Sequence, residues 1–345
     1  MKIKFLLIFL IIFIFSSCVV IAPPAQPETP VEAPPAAVPP EIITLESIES
    51  LQAAAAFQPS FGALGCSWTE GGHTFWLQDL FKASLYDAAT LDLIAEFDGG
   101  EYSAIYDVSP DGKTVAYSLD GQEIRLFDVF IQSDRLTFSP DFPYSGAFFS
   151  PDGSLLGVES LDEIKVVQFN TFDGLQLESL IGFETAAPVY AARYSPDGRS
   201  LVWWARGTVQ PMEIVSGNMG PSLSHEDFVV AHAMSPDGSS IATAAAGTLD
   251  GEFQPLVTLW DAKTGDMRWQ KGNPGYFSSL DFSPDGSLLA AGTEGEVIIF
   301  ETATGNEMAR LKTGTEVVNS LGFSPDGSVL ITCETNGKVT LWKPK

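Results

Sequence analysis

The sequence predicts an all-β fold, a seven-bladed β-propeller, on three observations. The tetrapeptide Ser-Pro-Asp-Gly occurs six times, at Ser109–Gly112, Ser150–Gly153, Ser195–Gly198, Ser235–Gly238, Ser283–Gly286 and Ser324–Gly327. A degraded copy, Trp68–Gly72, lies upstream, and the intervals from Thr69 through the six serines are 40, 41, 45, 40, 48 and 41 residues. Short apolar runs flank the turns, and a period in the low forties with this pattern is typical of propeller blades.

The local chemistry of the tetrapeptide favours a tight turn between two strands. Proline sets φ for the first central position, aspartate accepts hydrogen bonds from nearby backbone, and glycine adopts the conformation that other residues resist. Each turn therefore predicts a hairpin between the innermost strand of a blade and the strand that follows it.

The N-terminal residues 1–17 predict a secretory signal peptide. Lys2 and Lys4 precede the apolar run Phe5–Phe15, which is too short to span a bilayer comfortably. The run ends in Phe15-Ser16-Ser17-Cys18, which resembles the bacterial lipobox, in which the Cys is lipidated, for example with palmitate, and becomes the new N-terminus. An uncleaved anchor is the alternative. Both interpretations place the protein at the cell membrane, on the extracytoplasmic side (periplasm or cell surface).

Residues 18–40 predict a lipidated Cys18 followed by a linker, and residues 41–345 predict the propeller. The segment Ala22–Pro40 contains eight prolines. Such a composition cannot pack a core and favours an extended polyproline II spacer.

The stretch Leu51–Phe57 predicts the strand that closes the ring. It has the length and end residues of Leu91–Phe97, and each stretch ends 12 residues before its turn residue, Thr69 or Ser109. An open sheet edge invites aggregation, so we expect this strand to pair with Val339–Trp342 and complete the last blade. A short helix is the alternative because alanine is the best helix former.

Each repeat unit predicts four strands. The inner strand ends in an aromatic residue, as at Phe282 and Phe323, and the third strand ends in an aromatic residue followed by a polar one, as at Phe300-Glu301. Apolar residues alternate along the third strands, as half-buried strands require.

These units resemble the WD40 repeat across roughly residues 45–345, as a divergent bacterial member of that family. Leu259-Trp260-Asp261-Ala262-Lys263-Thr264-Gly265 carries the resemblance most fully. The Gly-His pair that precedes the inner strand in the family is missing, so the hydrogen-bond network built on that His is not carried over. The resemblance implies a propeller architecture.

Composition excludes some classes of partner. The formal net charge of −26 repels phosphate backbones, so no nucleic acid is expected, and a basic partner is favoured. No catalytic arrangement, metal-ligand spacing or cofactor motif stands out, and the three histidines, His73, His225 and His232, are interpreted as isolated structural residues.

Two body cysteines, Cys66 and Cys333, lie in the first and last repeat units, which adjoin at the predicted closure. An oxidising compartment would permit a disulfide between them. Two free buried thiols are the alternative, since cysteine is among the most buried residue types.

One face of the propeller predicts a docking surface for a partner. Aromatic residues lie just ahead of four inner strands, at Tyr102, Tyr144, Phe228 and Tyr276. Aromatic rings suit an anchoring peptide or a glycan, although packing between blades is the alternative. The fifth unit has an insertion on the same face, Ala246–Pro255, with Asp250 at its tip and Phe253 beside it. Insertions in repeats often map to the binding face.

The sequence therefore predicts a monomeric, membrane-anchored propeller that acts as a non-enzymatic protein–protein interaction scaffold. The partner is a protein or peptide. A carbohydrate or small-ligand sensor is the second class of function, and a propeller hydrolase or lactonase is the third.

Overall fold

The body of the protein is a β-propeller of antiparallel sheets. The computed structural model describes residues 40–161, 163, 165–181, 191–205 and 207–345. The predicted signal peptide, Cys18 and almost all of the linker lie outside these residues. Within them, five sheets have four strands and one sheet has seven.

Each four-stranded sheet is built from consecutive strands, which pair in chain order. The sheets are β2 (Gly65–Trp68), β3 (Thr74–Gln78), β4 (Lys82–Asp87), β5 (Leu93–Asp98); β6 (Ala104–Val108), β7 (Thr114–Ser118), β8 (Ile124–Asp128), β9 (Ser133–Phe138); β10 (Tyr144–Phe149), β11 (Leu155–Ser160), β12 (Lys165–Asn170), β13 (Gln176–Ile181); β14 (Ala191–Tyr194), β15 (Ser200–Ala205), β16 (Thr208–Glu213), β17 (Leu223–Ser224); and β18 (Val229–Met234), β19 (Ser240–Leu249), β20 (Glu252–Asp261), β21 (Met267–Gly272).

The seven-stranded sheet joins the two ends of the body. A 3-10 helix (Ile48–Ser50) precedes its N-terminal strand. Its strands, in spatial order, are β1 (Gln52–Phe57), β27 (Val339–Lys343), β26 (Leu330–Glu334), β25 (Glu307–Phe323), β24 (Glu294–Glu301), β23 (Leu288–Gly292) and β22 (Ser279–Phe282).

The prediction of seven separate blades is wrong. Counted as separate four-stranded blades, the propeller has five, and the last two repeat units merge into the seven-stranded sheet. They merge because β25 runs through both units without a break. Its middle stays paired with β24, with Glu294 opposite Val317 and Glu296 opposite Lys312. Gly295 permits this approach, since a Cβ there would lie 2.8 Å from the carbonyl oxygen of Gly314.

The predicted closure by the N-terminal strand is confirmed. β1 pairs antiparallel with β27, and Phe57 lies opposite Val339. The ring of Phe57 packs against Phe75 and Tyr86, with centroid separations of 6.3 and 5.3 Å. The strand therefore covers the edge of β27 and also contributes apolar contacts to the core between the first and last sheets.

The repeated turns have the chemistry that their sequence predicts. In all six Ser-Pro-Asp-Gly turns the serine hydroxyl donates to the aspartate Oδ1 at 2.6 or 2.7 Å. The serine oxygen also accepts a backbone N–H from the following strand, as in Leu288 to Ser283 at 2.9 Å. In the degraded turn Thr69 replaces the serine, and its hydroxyl instead contacts Thr74 Oγ1 at 2.7 Å.

Candidate binding surface

Strand connectivity places the aromatic candidates on one face of the propeller. The loops that enter the inner strands lie on the face opposite the Ser-Pro-Asp-Gly turns, together with the hairpin between β19 and β20. Tyr102 is 87% exposed ahead of β6, Phe228 is 46% exposed ahead of β18, and Tyr276 is 72% exposed ahead of β22. These three rings therefore meet solvent on the predicted face.

Tyr144 has a different environment. It is half-buried at the start of β10 and packs against an apolar cluster formed by the β6–β9 and β10–β13 sheets. Its ring lies edge-on to Tyr106, 5.9 Å between centroids, and its hydroxyl donates to Ser118 Oγ at 3.4 Å. Burial raises the pKa of Tyr144 above its ordinary value. Tyr144 is therefore a packing residue that shares only its sequence position with the exposed rings.

Phe228 and Tyr276 line a common cavity of about 240 Å³. The rest of its lining comes from β18 and the residues just before it, from β19 and β20, and from the loop ahead of β22. Apart from Asp227, these lining residues are apolar: Val230, Ala245, Ala246, Pro255, Leu256 and Phe277. Val230 is itself 58% exposed. Apolar clefts with a few polar groups at the edge are the common form of binding sites, so this cavity is the candidate site. Tyr102 is not among its lining residues.

The insertion forms a long hairpin beside this cavity. The strands β19 and β20 are ten residues each and pair without interruption from Ser240–Asp261 to Leu249–Glu252. Asp250 and Gly251 form the two-residue tip with φ values of 53° and 85°. Asp-Gly is a strong signal for such a turn. The insertion was predicted as a loop, but its own pairing extends the hairpin instead.

The hairpin arm extends beyond the neighbouring strands that flank it. β18 pairs with β19 only as far as Ala245, and β21 pairs with β20 only as far as Leu256. On one edge Glu226 accepts hydrogen bonds from the backbone N–H and the hydroxyl of Thr248, at 3.2 and 3.0 Å. On the other edge Pro255 has no N–H to offer. These features disfavour strand addition at the arm's edges, and we therefore expect side chains to make its contacts.

The arm and cavity are acidic at their borders. Glu226 and Asp227 lie in the loop ahead of β18, Asp250 lies in the hairpin tip, and Glu252 follows the tip. Phe253, the next residue, is 63% exposed. An apolar cavity with carboxylates at its rim favours a ligand that combines an apolar group with positive charge.

A hydrogen-bond network in the same sheet was missed from the sequence. Trp260 Nε1 donates to Thr243 Oγ1 at 2.8 Å, and the same hydroxyl lies 2.8 Å from His225 Nε2. His225 Nδ1 lies 3.3 Å from the carbonyl oxygen of Gly207. The prediction that no His-based network is carried over is therefore wrong for this unit, where Ser-His replaces Gly-His.

Burial lowers the pKa of His225, so the imidazole is neutral near pH 7. With Nδ1–H donating to Gly207, the hydroxyl of Thr243 donates to Nε2 and accepts from Trp260. The network joins the loop ahead of β18 to β19 and β20, and so fixes the base of the hairpin arm.

Buried ionisable residues on the inner strands make contacts with neighbouring repeat units. Asp107 accepts the backbone N–H of Phe149 at 2.8 Å, and Asp281 accepts that of Phe323 at 2.8 Å. Burial raises the pKa of both carboxyls, and that of Asp281 reaches about 7. The ring of His232 packs against Trp204 in a tilted arrangement, with 4.1 Å between ring centroids and 52° between ring planes, and burial lowers the pKa of His232 to about 3. Each group therefore has a structural contact that explains its position.

Within the described ranges, no group of three or more His, Cys, Asp and Glu side chains is arranged to hold a metal ion. His73 is exposed after the degraded turn. In the same part of the chain, no helix has the length and apolar character needed to cross a bilayer.

Cys66 and Cys333 are both buried free thiols at the closure. Cys66 lies in β2 and Cys333 in β26, within one apolar cluster between the first and last sheets. Burial of Cys333, together with its interaction with Cys66, raises the pKa of Cys333 well above its ordinary value.

Comparison with known proteins finds a family profile that matches the last two repeat units. The profile of the WD40 family (WD domain, G-beta repeat) matches residues 268–301 and 305–343. The chain is a β-propeller, and these two segments, together well under half of its length, resemble WD40 repeats. A WD repeat-containing protein, SL1-17 of Schistosoma mansoni, is 32% identical over 122 residues, which are 34% of this chain and 38% of that protein. The matched segment thus spans well under two thirds of that relative.

A solved structure supports the fold independently of sequence. The crystal structure of the β-propeller domain of Myceliophteria thermophila Cps50 (Swd1) superposes with a TM-score of 0.68, covering 86% of this chain and 100% of that domain. Sequence identity is 13%, so the likeness shows the fold alone. Propellers with WD40 repeats typically serve as protein-interaction scaffolds.

Proposed function

We propose that this protein is a lipid-anchored, extracytoplasmic scaffold that binds a protein partner at the cavity between Phe228 and Tyr276. The observation that carries the proposal is this apolar cavity, open to solvent beside a hairpin arm that extends past its neighbours. Exposed aromatic rings around a cleft provide binding energy when a partner desolvates them.

The partner's chemistry follows from the surface. Phe228, Tyr276 and Pro255 offer apolar contact, and Asp227 lies at the rim. A segment with one large apolar side chain next to Lys or Arg fits both features, since the basic group would meet the carboxylates while the apolar group fills the cavity. The overall charge of −26 would also speed the approach of a basic partner.

The anchor is proposed from sequence alone. Lys2, Lys4 and the apolar run lead to Cys18, and the Pro-rich linker would carry the propeller away from the bilayer. Palmitate labelling should mark the wild-type chain but not Cys18→Ser, and that variant should leave the membrane fraction. Equal labelling and equal membrane retention of both proteins would rule out lipidation at Cys18.

The docking proposal is tested by matched aromatic substitutions. Tyr276→Ala and Phe228→Ala should each weaken partner binding by at least about tenfold, the scale of a binding hot spot. Phe172→Ala is the control, because Phe172 is as exposed as Tyr102, at 87%, but lies in a turn on the opposite face. Partner affinity is measured by calorimetry and folding by thermal melting. Binding that is unchanged in both cavity variants would refute this docking site, and Tyr102→Ala would show whether the contact extends beyond the cavity.

A further inference from the structure

The seam between the first and last sheets brings together two thiols from distant parts of the chain. Cys66 is 9% exposed and Cys333 is 0% exposed. The backbone N–H of Cys66 donates to Ser320 Oγ at 3.1 Å, and that hydroxyl lies 3.2 Å from the carbonyl oxygen of Cys66. Ser320 is the β25 residue directly opposite Cys333. The backbone around each cysteine is therefore fixed relative to the other.

Other contacts keep β2 close to the seven-stranded sheet. Trp68 Nε1 donates to the carbonyl oxygen of Gly322 at 2.9 Å, and Asn319 Nδ2 donates to that of Leu64 at 2.6 Å. These bonds, with the Ser320 contact, connect the two sides of the seam through side chains. A covalent bond here would join β2, the first strand of the first four-stranded sheet, to β26, an interior strand of the seven-stranded sheet.

We propose that Cys66 and Cys333 form a dithiol–disulfide site that locks the propeller seam when the protein meets a low-molecular-weight disulfide. One thiol loses its proton and attacks the external disulfide, forming a mixed disulfide and releasing one thiolate. The second cysteine thiolate then attacks the mixed disulfide at the protein sulfur, forming the Cys66–Cys333 bond and releasing the second thiolate. The external disulfide takes up two electrons, and its two thiolates take up the two protons.

Burial of both thiols implies slow reaction in the closed ring. The attacking species is the thiolate, which a raised pKa makes scarce. Local opening of the seam, or folding in the presence of the oxidant, should therefore control the rate. The site is independent of the docking proposal, because none of its residues lines the cavity beside the hairpin arm.

The full chain is tested with glutathione disulfide as the probe, both on the native protein and during refolding from urea. After alkylation in denaturant, peptide mapping should show a linked Cys66–Cys333 pair that has lost two hydrogen atoms and is restored by dithiothreitol. Cys18 lies in a different peptide, so the map distinguishes any modification of Cys18 from the Cys66–Cys333 link. The oxidised wild type should melt at least about 5 °C higher than the reduced protein, while Cys66→Ala should not gain stability on oxidation.

Both thiols are exposed to the probe during refolding. Slow access to buried thiols therefore cannot explain a failure to form the disulfide in that experiment. A correctly refolded protein in which both cysteines remain free, or carry glutathione rather than each other, would overturn the proposal.

Discussion

The Thr243 hydroxyl offers a sharp test of the network that fixes the hairpin arm. Thr243→Val keeps the side-chain shape and removes the oxygen that accepts from Trp260 Nε1 and contacts His225 Nε2, both at 2.8 Å. Thr243 is fully buried. Water cannot readily replace the lost hydroxyl, so two nitrogen atoms lose a partner at once.

The expected loss follows from those two atoms. Each buried polar group left without a partner costs about 1–3 kcal/mol, and we therefore expect Thr243→Val to lower the free energy of unfolding by about 3 kcal/mol. Thr332→Val is the matched control in the last sheet. Trp342 Nε1 donates to Thr332 Oγ1 at 3.0 Å, with no histidine in that contact, so only one donor is orphaned. The control should lose about 1.5 kcal/mol.

Equilibrium urea unfolding, monitored by tryptophan fluorescence and circular dichroism, measures both losses. A difference of at least about 1 kcal/mol between the two variants would assign that difference to His225. Equal losses, or a loss below about 0.5 kcal/mol for Thr243→Val, would refute the view that the histidine belongs to a stabilising network.

Three further predictions concern stability. His232, whose pKa is lowered to about 3, is held neutral in the fold, so its contribution to stability should be present above pH 6.5 and decline as pH falls toward 3. His232→Gln should flatten that part of the melting-temperature profile; an unchanged slope contradicts this. Asp281, whose pKa is raised to about 7, should have the opposite effect, with its contribution lost as pH rises from about 4 to 7. The melting temperature of Asp281→Asn minus that of the wild type should therefore be higher at pH 8 than at pH 5. An equal difference at both pH values would contradict this role of Asp281. Deleting residues 41–57 exposes the edge of β27 and should produce oligomers in light scattering, whereas a stable monomer would contradict the closure.

Local chemistry explains what the sequence predicted well. The Ser-Pro-Asp-Gly turns are set by bonds within five residues, as from Ser324 to Asp326 and Val329, and so could be inferred from the tetrapeptide alone. The pairing of β1 with β27 could be inferred because Leu51–Phe57 keeps the register of an outer strand, even though its partner lies at the other end of the chain.

The missed features depend on contacts that the repeat pattern does not contain. β25 stays paired with β24 through a close approach at Gly295, which no turn signal marks, so the last two units were predicted as separate blades. His225 lies 18 residues before Thr243, in the one unit with a Trp-Asp pair, and that spacing was the available signal. The Asp250-Gly251 pair marks the tip of the insertion, and Asp-Gly favours a two-residue hairpin turn, so the extended pairing of β19 with β20 could be inferred from this dipeptide.

Position 253 at the hairpin tip allows the most direct measurement of the docking proposal. A photoreactive phenylalanine analogue replaces Phe253 in the full chain, and irradiation is carried out on intact cells. We expect one discrete crosslinked partner that is lost when Tyr276→Ala is added and retained when Phe172→Ala is added. An adduct that survives Tyr276→Ala undiminished, or no adduct on cells where the partner is captured by other means, would contradict binding at this cavity.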